Sequence, residues 1–227
     1  MNAELPRFED RRGAGCALAE LLAPARGTEA VVLGLSRGGV PVAHEVAIAL
    51  HLPMDVLVTR RLYAPHDPSL VLGAVAETGA VWLNERELRH AGVDPSELSE
   101  PIVQESLEVA RIAQRYRQWR TRRSLESRTV LLIDDGLVTG ATARAGLIAV
   151  RALAPRSVVL AVPIADAEVA DAVRGSVDAL VVAHRVAELG SLERWYQEFS
   201  PVSEGEVIAV LAGVRREAEV ALDAAVP

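Results

Sequence analysis

The amino-acid sequence predicts a doubly wound, mostly parallel five-stranded α/β sheet with a helical insertion and a small hood. Three observations predict it. Five short runs rich in Val, Ile and Leu read as strands covered on both faces, because a parallel strand between two helical layers loses the apolar–polar alternation of a half-exposed one. Helical patterns follow most of these runs, as crossover connections between parallel strands require. One stretch, residues 62–128, breaks the rhythm and is expected as an insertion.

Taken in order, Phe8 to Leu22 is an expected entry helix. The first strand, Ala30 to Leu35, leads to a helix over Val40 to Leu50, and the second, Asp55 to Thr59, leads into the insertion. There, Leu62 to Ser69 contains Pro65 and Pro68 and reads as a loop, while Leu72 to Ala76 and Ala80 to Leu83 read as a β-ribbon around Glu77-Thr78-Gly79. A long polar helix, Pro101 to Arg123, closes the insertion. Its arginines at 111, 115, 117, 120, 122 and 123 read as a solvated face, with an anion or partner surface as the alternative. The third strand, Thr129 to Ile133, precedes a helix over Ala141 to Leu153; Ser157 to Ile164 and Ala179 to Val182 complete the sheet. Ser203, three residues before Glu206 and ahead of an apolar run, reads as a capping box opening the last helix. Residues 1–227 thus read as a single domain, with a lid, ribbon and helical insertion at about 62–128 and a hood and helix at about 185–227.

Composition narrows the function. Half of the 227 residues are apolar, enough for a full core. With 24 basic and 31 acidic side chains the net charge is −7, which argues against a broad nucleic-acid footprint. The lone Cys16 excludes an intramolecular disulfide framework and a cysteine zinc site, and is expected as a small buried hydrophobe on the entry helix. The histidines at 44, 51, 66, 90 and 184 lack metal-ligand spacing. No stretch approaches the roughly 20 apolar residues of a membrane span, so a soluble, cytoplasmic protein without a membrane partner is expected.

The chemistry concentrates at the end of the third strand, in Asp134-Asp135-Gly136-Leu137-Val138-Thr139-Gly140-Ala141-Thr142. A strand that turns directly into a helix presents backbone N–H groups and the positive end of a helix dipole to an anion, and the Thr139 and Thr142 hydroxyls add donors. Gly140 lets the backbone approach a phosphate closely. Two acids at a strand end suit neighbouring ribose hydroxyls, directly or through water on magnesium. Adjacent residues on a strand point apart, so the two should be unequal. Asp135, nearer the turn, is expected to make the more direct contact, and the pair to be exposed.

This segment closely resembles the phosphoribosyl-pyrophosphate motif of type I phosphoribosyltransferases: four apolar residues, two acids, small or apolar residues, then Thr-Gly-x-Thr. Leu35 to Ala43, Leu72 to Glu77, Val130 to Ala143 and Trp195 to Val207 look like one bacterial branch of that family with an unassigned acceptor. The resemblance implies a type I phosphoribosyltransferase-like core with a variable hood, and transfer of ribose 5-phosphate from 5-phosphoribosyl-1-pyrophosphate to an acceptor, expected to be a nitrogenous base. By that likeness Val138, Thr139, Gly140, Ala141 and Thr142 hold the 5-phosphate. Ser36, Arg37, Gly38, Gly39 and Arg60 belong to the pyrophosphate side, while Asp134, Asp135, Arg37 and Arg61 carry catalysis. Mg2+ binds Asp134 and Asp135 through water. The expected partners are the donor, a small-molecule acceptor and a second copy in a homodimer, with no nucleic acid. Tyr63 to Val71 takes the place of a flexible lid that excludes water, with His66 and Asp67 able to reach inward. One departure is Val138, where enzymes specific for hypoxanthine or guanine carry an aspartate.

Two other functions fit parts of the chain. Gly34-Leu35-Ser36-Arg37-Gly38 matches the G-x-S-x-G elbow of a serine hydrolase with Ser36 as nucleophile, although only one helix is expected before it and nothing local orients His184 as a base. A non-catalytic regulator could sense the same metabolite through the same site. Trp195, Tyr196 and Phe199 pack against the sheet if helical, or wall a site for a planar base.

Overall fold

Strands covered on both faces have little use for polar side chains, and the central strands carry few. The computed structural model describes residues 7–117 and 122–223, with side chains through residue 214. In chain order the elements are α1 (Arg11–Leu21), β1 (Val31–Leu35), α2 (Gly39–Leu50), β2 (Met54–Leu57), β3 (Thr59–Ala64), β4 (Asp67–Ala76), β5 (Ala80–Leu83), α3 (Glu85–Ala91), α4 (Ser99–Arg117), β6 (Thr129–Ile133), α5 (Ala141–Arg151), β7 (Ser157–Asp166), α6 (Ala167–Arg174), β8 (Ala179–Val186) and α7 (Glu204–Asp223).

Five strands form a parallel sheet in the order β2-β1-β6-β7-β8, and helices cover both faces. Alternation assigns the sides: Val32 packs with Val42, Val46 and Leu18 on the α1–α2 side, whereas Val31, Leu33 and Leu35 pack with Leu147 and Val150 of α5 on the other. Gly34 is glycine because α2 crosses it closely; a β-carbon there would lie 3.0 Å from Ala43 Cβ and 3.2 Å from Val40 Cα. From β1 the chain goes to β2 on one side, and β6 lies on the other. A crevice opens where strand order reverses, beyond the carboxyl ends of β1 and β6.

The insertion differs from expectation at its start. Residues 62–69 are not a loop: β3 and β4 form an antiparallel hairpin, extended by β5 into a three-stranded sheet. Both prolines suit it. Pro65 lies in the turn between the strands, and Pro68 falls between the pairs Ala64↔Asp67 and Tyr63↔Val71, where the ladder is irregular and no N–H is needed. The expected ribbon over Leu72–Ala76 and Ala80–Leu83 is present as the paired parts of β4 and β5.

The arginine-rich helix is a solvated face only in part: Arg111 and Arg115 stay about half accessible, whereas Arg117 is drawn inward. Arg117 reaches Glu77 at 2.8 Å with both side chains largely buried, Arg111 pairs with Glu108 at 2.8 Å and Glu204 at 3.2 Å, and Arg115 pairs with Glu204 at 3.0 Å. Glu77, which also accepts from Val58 N–H at 3.0 Å, draws the basic side chain inward, since a buried carboxylate needs a partner. The helix ends its described span at Arg117; Arg120 lies outside the described residues, and Arg122 and Arg123 are not helical.

Cys16 is exposed rather than buried, because α1 turns Ala14, Gly15, Leu18 and Ala19 toward the core and position 16 falls off that stripe. The capping box at α7 is present: Glu206 accepts from Ser203 N–H at 2.7 Å, and Glu206 N–H donates to Ser203 Oγ at 3.2 Å. Among the described residues no helix is long and apolar enough to cross a membrane.

Candidate active site

A cleft of about 550 Å³ occupies the crevice, and three segments distant in sequence meet in it. From β1 come Ser36, Arg37 and Gly38; from β6, Asp134, Asp135, Val138, Thr139, Gly140 and Thr142; from β3, Arg61. Ala141 is buried beneath the turn, and Gly39 lies behind the cleft against β6. A β-carbon on Gly39 would come within 2.6 Å of the Ile133 carbonyl oxygen, so a glycine there lets the β1 turn sit on the end of β6.

The acid pair is buried rather than exposed: Asp134 is 9% and Asp135 8% accessible. Packing explains it. Gly38 and Gly39 press on the pair from the β1 turn, and the hood closes on Gly136, where a β-carbon would meet Leu192 at 2.2 Å. The two carboxylates are unequal. Asp134 Oδ1 accepts the Asp135 N–H at 2.9 Å, and burial, then the neighbouring Asp135, push its carboxyl well above the usual carboxylate range. Asp135 Oδ2 accepts Arg11 Nε at 2.9 Å, and its backbone carbonyl accepts the Tyr196 hydroxyl at 2.6 Å. Burial of Tyr196, together with that acid, raises the phenol.

Beyond the acids, Leu137 is pinned to β7 through its N–H to Ile164 O at 2.9 Å and its carbonyl from Asp166 N–H at 3.0 Å. The chain then turns over Val138 and Thr139 into Gly140, whose φ of 72° is left-handed, at the N-terminus of α5. Unpaired amides and a helix dipole of this kind suit a dianion.

Arg37 and Arg61 have no acidic partner within salt-bridge distance among the described residues, and both line the cleft. Arg60 does not. It lies on the other face of β3 and pairs with Glu105 of α4, as alternation along a strand requires, so its expected place on the pyrophosphate side is corrected. The hairpin contributes Tyr63, Ser69 and Val71 to the cleft, while His66 and Asp67 stay outside it. Asp67 is turned back on its own strand, accepting from Ser69 N–H at 2.8 Å.

The hydrolase elbow fails on geometry. Ser36 Oγ accepts a long 3.4 Å hydrogen bond from Thr59 N–H, and no histidine lines the cleft among the described residues. His184 packs its ring 5.4 Å from that of Phe8. Without a base within reach, Ser36 has no route to a nucleophilic alkoxide.

The hood also departs from expectation. Trp195 ends a short 3-10 turn, Leu192–Trp195, and the chain after it is extended, so Trp195 and Phe199 share no helix face. Trp195 is buried with its indole N–H on Leu189 O at 2.9 Å. Phe199 lies against Tyr196, with ring centroids 4.9 Å apart, and under the Arg11 guanidinium at 3.8 Å. Arg11 was not singled out from the sequence. It stands 124 positions from Asp135, and nothing near Phe8-Glu9-Asp10-Arg11 signals that pairing.

The pattern of the family described as "Phosphoribosyl transferase domain" matches residues 11–185, which span both loops, the acid pair and Arg61. The chain belongs to the phosphoribosyl transferase family. Two Mycobacterium tuberculosis proteins, from strains CDC 1551 and H37Rv and each provisionally named a phosphoribosyl transferase, are 40% identical to it over 210 residues. That alignment takes 92% of this chain and 47% of theirs, so the chain spans about half the length of the curated relatives it matches. TT1426 from Thermus thermophilus, a crystal structure, is 38% identical, with a TM-score of 0.75 over 91% of this chain and 98% of that one. The AQ2163 protein from Aquifex aeolicus shares the fold alone, at 12% identity and a TM-score of 0.51, covering 82% of this chain and 78% of its own. In this phosphoribosyl transferase chain, Val138 before the Thr-Gly pair packs beside Leu192 and Trp195 of the hood, an apolar setting with no carboxylate at that position.

Proposed function

We propose that the chain transfers ribose 5-phosphate from 5-phosphoribosyl-1-pyrophosphate to a nitrogenous base, with release of pyrophosphate. The observation that carries this reading is the meeting, in one cleft, of an anion-binding turn, a buried acid pair and two arginines without acidic partners among the described residues. Their chemistry suits a ligand that carries a phosphate, neighbouring hydroxyls and a diphosphate.

In this proposal the Val138–Thr142 turn anchors the 5-phosphate with backbone amides and the Thr139 and Thr142 hydroxyls. Asp134 and Asp135 accept from the ribose hydroxyls and favour the positive charge that develops on the ring as the bond from the anomeric carbon to the pyrophosphate oxygen breaks. Arg37 and Arg61 take up the negative charge of the departing pyrophosphate, and the electron pair of an acceptor nitrogen forms the new bond. Tyr63 and Val71 of the hairpin limit water, the competing acceptor.

The acid pair fits magnesium. It offers hard oxygen donors only, and magnesium commonly takes one or two carboxylates and completes its shell with water and ligand oxygens. When bound, the ion would offset charge on the diphosphate. A homodimer and a cytoplasmic location belong to the same proposal.

A regulator acting on nucleic acid needs free basic groups, and the pairing of Arg111, Arg115 and Arg117 of α4 with acids supports the transferase over the sensor. Incubation with the donor, magnesium and a panel of nitrogenous bases, followed by pyrophosphate detection, tests the proposal. Acceptor-dependent release is expected; binding without turnover for every base would favour the sensor.

A further inference from the structure

Three arginines line the cleft, and they are not equivalent. Arg37 and Arg61 face it without an acidic partner among the described residues, as groups awaiting an anion do. Arg11 is already committed. Its Nε donates to Asp135 Oδ2 at 2.9 Å, a terminal nitrogen donates to Ser200 O at 2.8 Å, and its Cζ sits 3.8 Å from the centre of the Phe199 ring. Only 11% of either charged side chain is accessible.

We propose that Arg11 is a positioning residue that orients Asp135 for the ribose and ties it to the hood. The inference rests on the transferase reading given above and deepens it. Arg11 engages one carboxylate oxygen only. No protein donor among the described residues reaches Asp135 Oδ1, so the guanidinium sets the rotation of the carboxylate and leaves its second oxygen for a ligand hydroxyl. The hood grips the same residue a second time through the Tyr196 hydroxyl on the Asp135 carbonyl at 2.6 Å. Arg11, Phe199, Ser200 and Asp135 are therefore tied to one another through a single guanidinium.

A purely local role for Arg11 is disfavoured by its place in the chain. It is the first residue of α1, where the helix dipole opposes a cation, and Asp10 already caps that helix by accepting Gly13 N–H at 2.8 Å. Lysine would be a poor substitute, because an ammonium on a flexible stem cannot donate along Nε, reach Ser200 and stack on a ring at once.

The test is calorimetry on the full chain with two probes, magnesium 5-phosphoribosyl-1-pyrophosphate and inorganic pyrophosphate, for the wild type, Arg11→Ala and Arg11→Lys. Loss of a charge-assisted contact predicts at least about a tenfold weaker donor affinity in Arg11→Ala, pyrophosphate affinity within about twofold of wild type, and no recovery in Arg11→Lys. Methylguanidinium at millimolar concentration should restore donor binding to Arg11→Ala, which a merely structural role would not allow. Unchanged donor affinity overturns the inference and leaves the transferase reading intact. An equal loss for both probes, a lowered Tm and no rescue overturn it in favour of a structural tie. A wild type that binds pyrophosphate but not the donor overturns the transferase reading, and this inference with it.

Discussion

Gly38 and Asp135 are interlocked: a β-carbon on Gly38 would fall 2.0 Å from Asp135 Oδ2 and 2.6 Å from its Cγ. The turn after β1 and the acids after β6 are thus one packed unit. Gly38→Ala is expected to drive the Asp135 carboxylate off its contact with Arg11, costing about 1–3 kcal/mol of stability through overpacking and weakening donor binding. Urea denaturation and calorimetry check this; unchanged stability and affinity would show that Asp135 moves aside freely.

Arg60 and Arg61 offer a paired control on one strand. Arg61→Ala removes a charge facing the cleft and is expected to weaken pyrophosphate binding about tenfold, the scale of one charge-assisted contact. Arg60→Ala breaks only its pair with Glu105 on α4 and should leave that affinity unchanged. Titration of both variants with pyrophosphate decides it, and equal losses would contradict the placement of the two side chains.

Gly140 combines φ of 72° with a neighbour at 3.0 Å, Val169 Cγ1, from an added β-carbon. Gly140→Val is therefore expected to lose about 1–3 kcal/mol as well as phosphate binding, a combined effect rather than a blocked phosphate path in an intact fold. Gly140→Asn, which tolerates left-handed backbone better, should lose less. A Gly140→Val protein with wild-type denaturation would contradict this account.

Ser36→Ala should keep most activity, since the hydroxyl makes only a long hydrogen bond and has no histidine beside it in the cleft among the described residues. A nucleophile would lose several orders of magnitude. Covalent labelling of Ser36 by a fluorophosphonate would contradict the assignment.

The sheet was legible because strands buried on both faces become plain apolar runs, as Val31–Leu35 and Thr129–Ile133 do. The turn after β6 was legible because its residues are local: the acids, the threonines and Gly140 are neighbours in sequence, and they line one cleft. What depends on pairing between distant segments was not. Pro65 and Pro68 signal a turn, yet the hairpin around them exists because Arg61↔Ala74 and Leu62↔Gly73 pair across it. Adjacent Arg60 and Arg61 look alike in sequence, and only the pleat separates a side chain lining the cleft from one tied to α4. Arg11 and the burial of the acids depend on the closing of the hood over Gly136, a packing event with no local signal.

The ribose role of the acid pair is the central claim, and Asp134→Asn isolates it. Asparagine keeps an oxygen to accept the Asp135 N–H at 2.9 Å while removing a charge whose burial beside a second carboxylate is unfavourable, so the ligand-free variant should be at least as stable as wild type. Titrating both proteins with 5-phosphoribosyl-1-pyrophosphate, with and without magnesium, is the direct measurement: magnesium-dependent binding by the wild type and its loss in a well-folded Asp134→Asn is the predicted result, whereas equal affinity and equal metal dependence in the two proteins would contradict the ribose site.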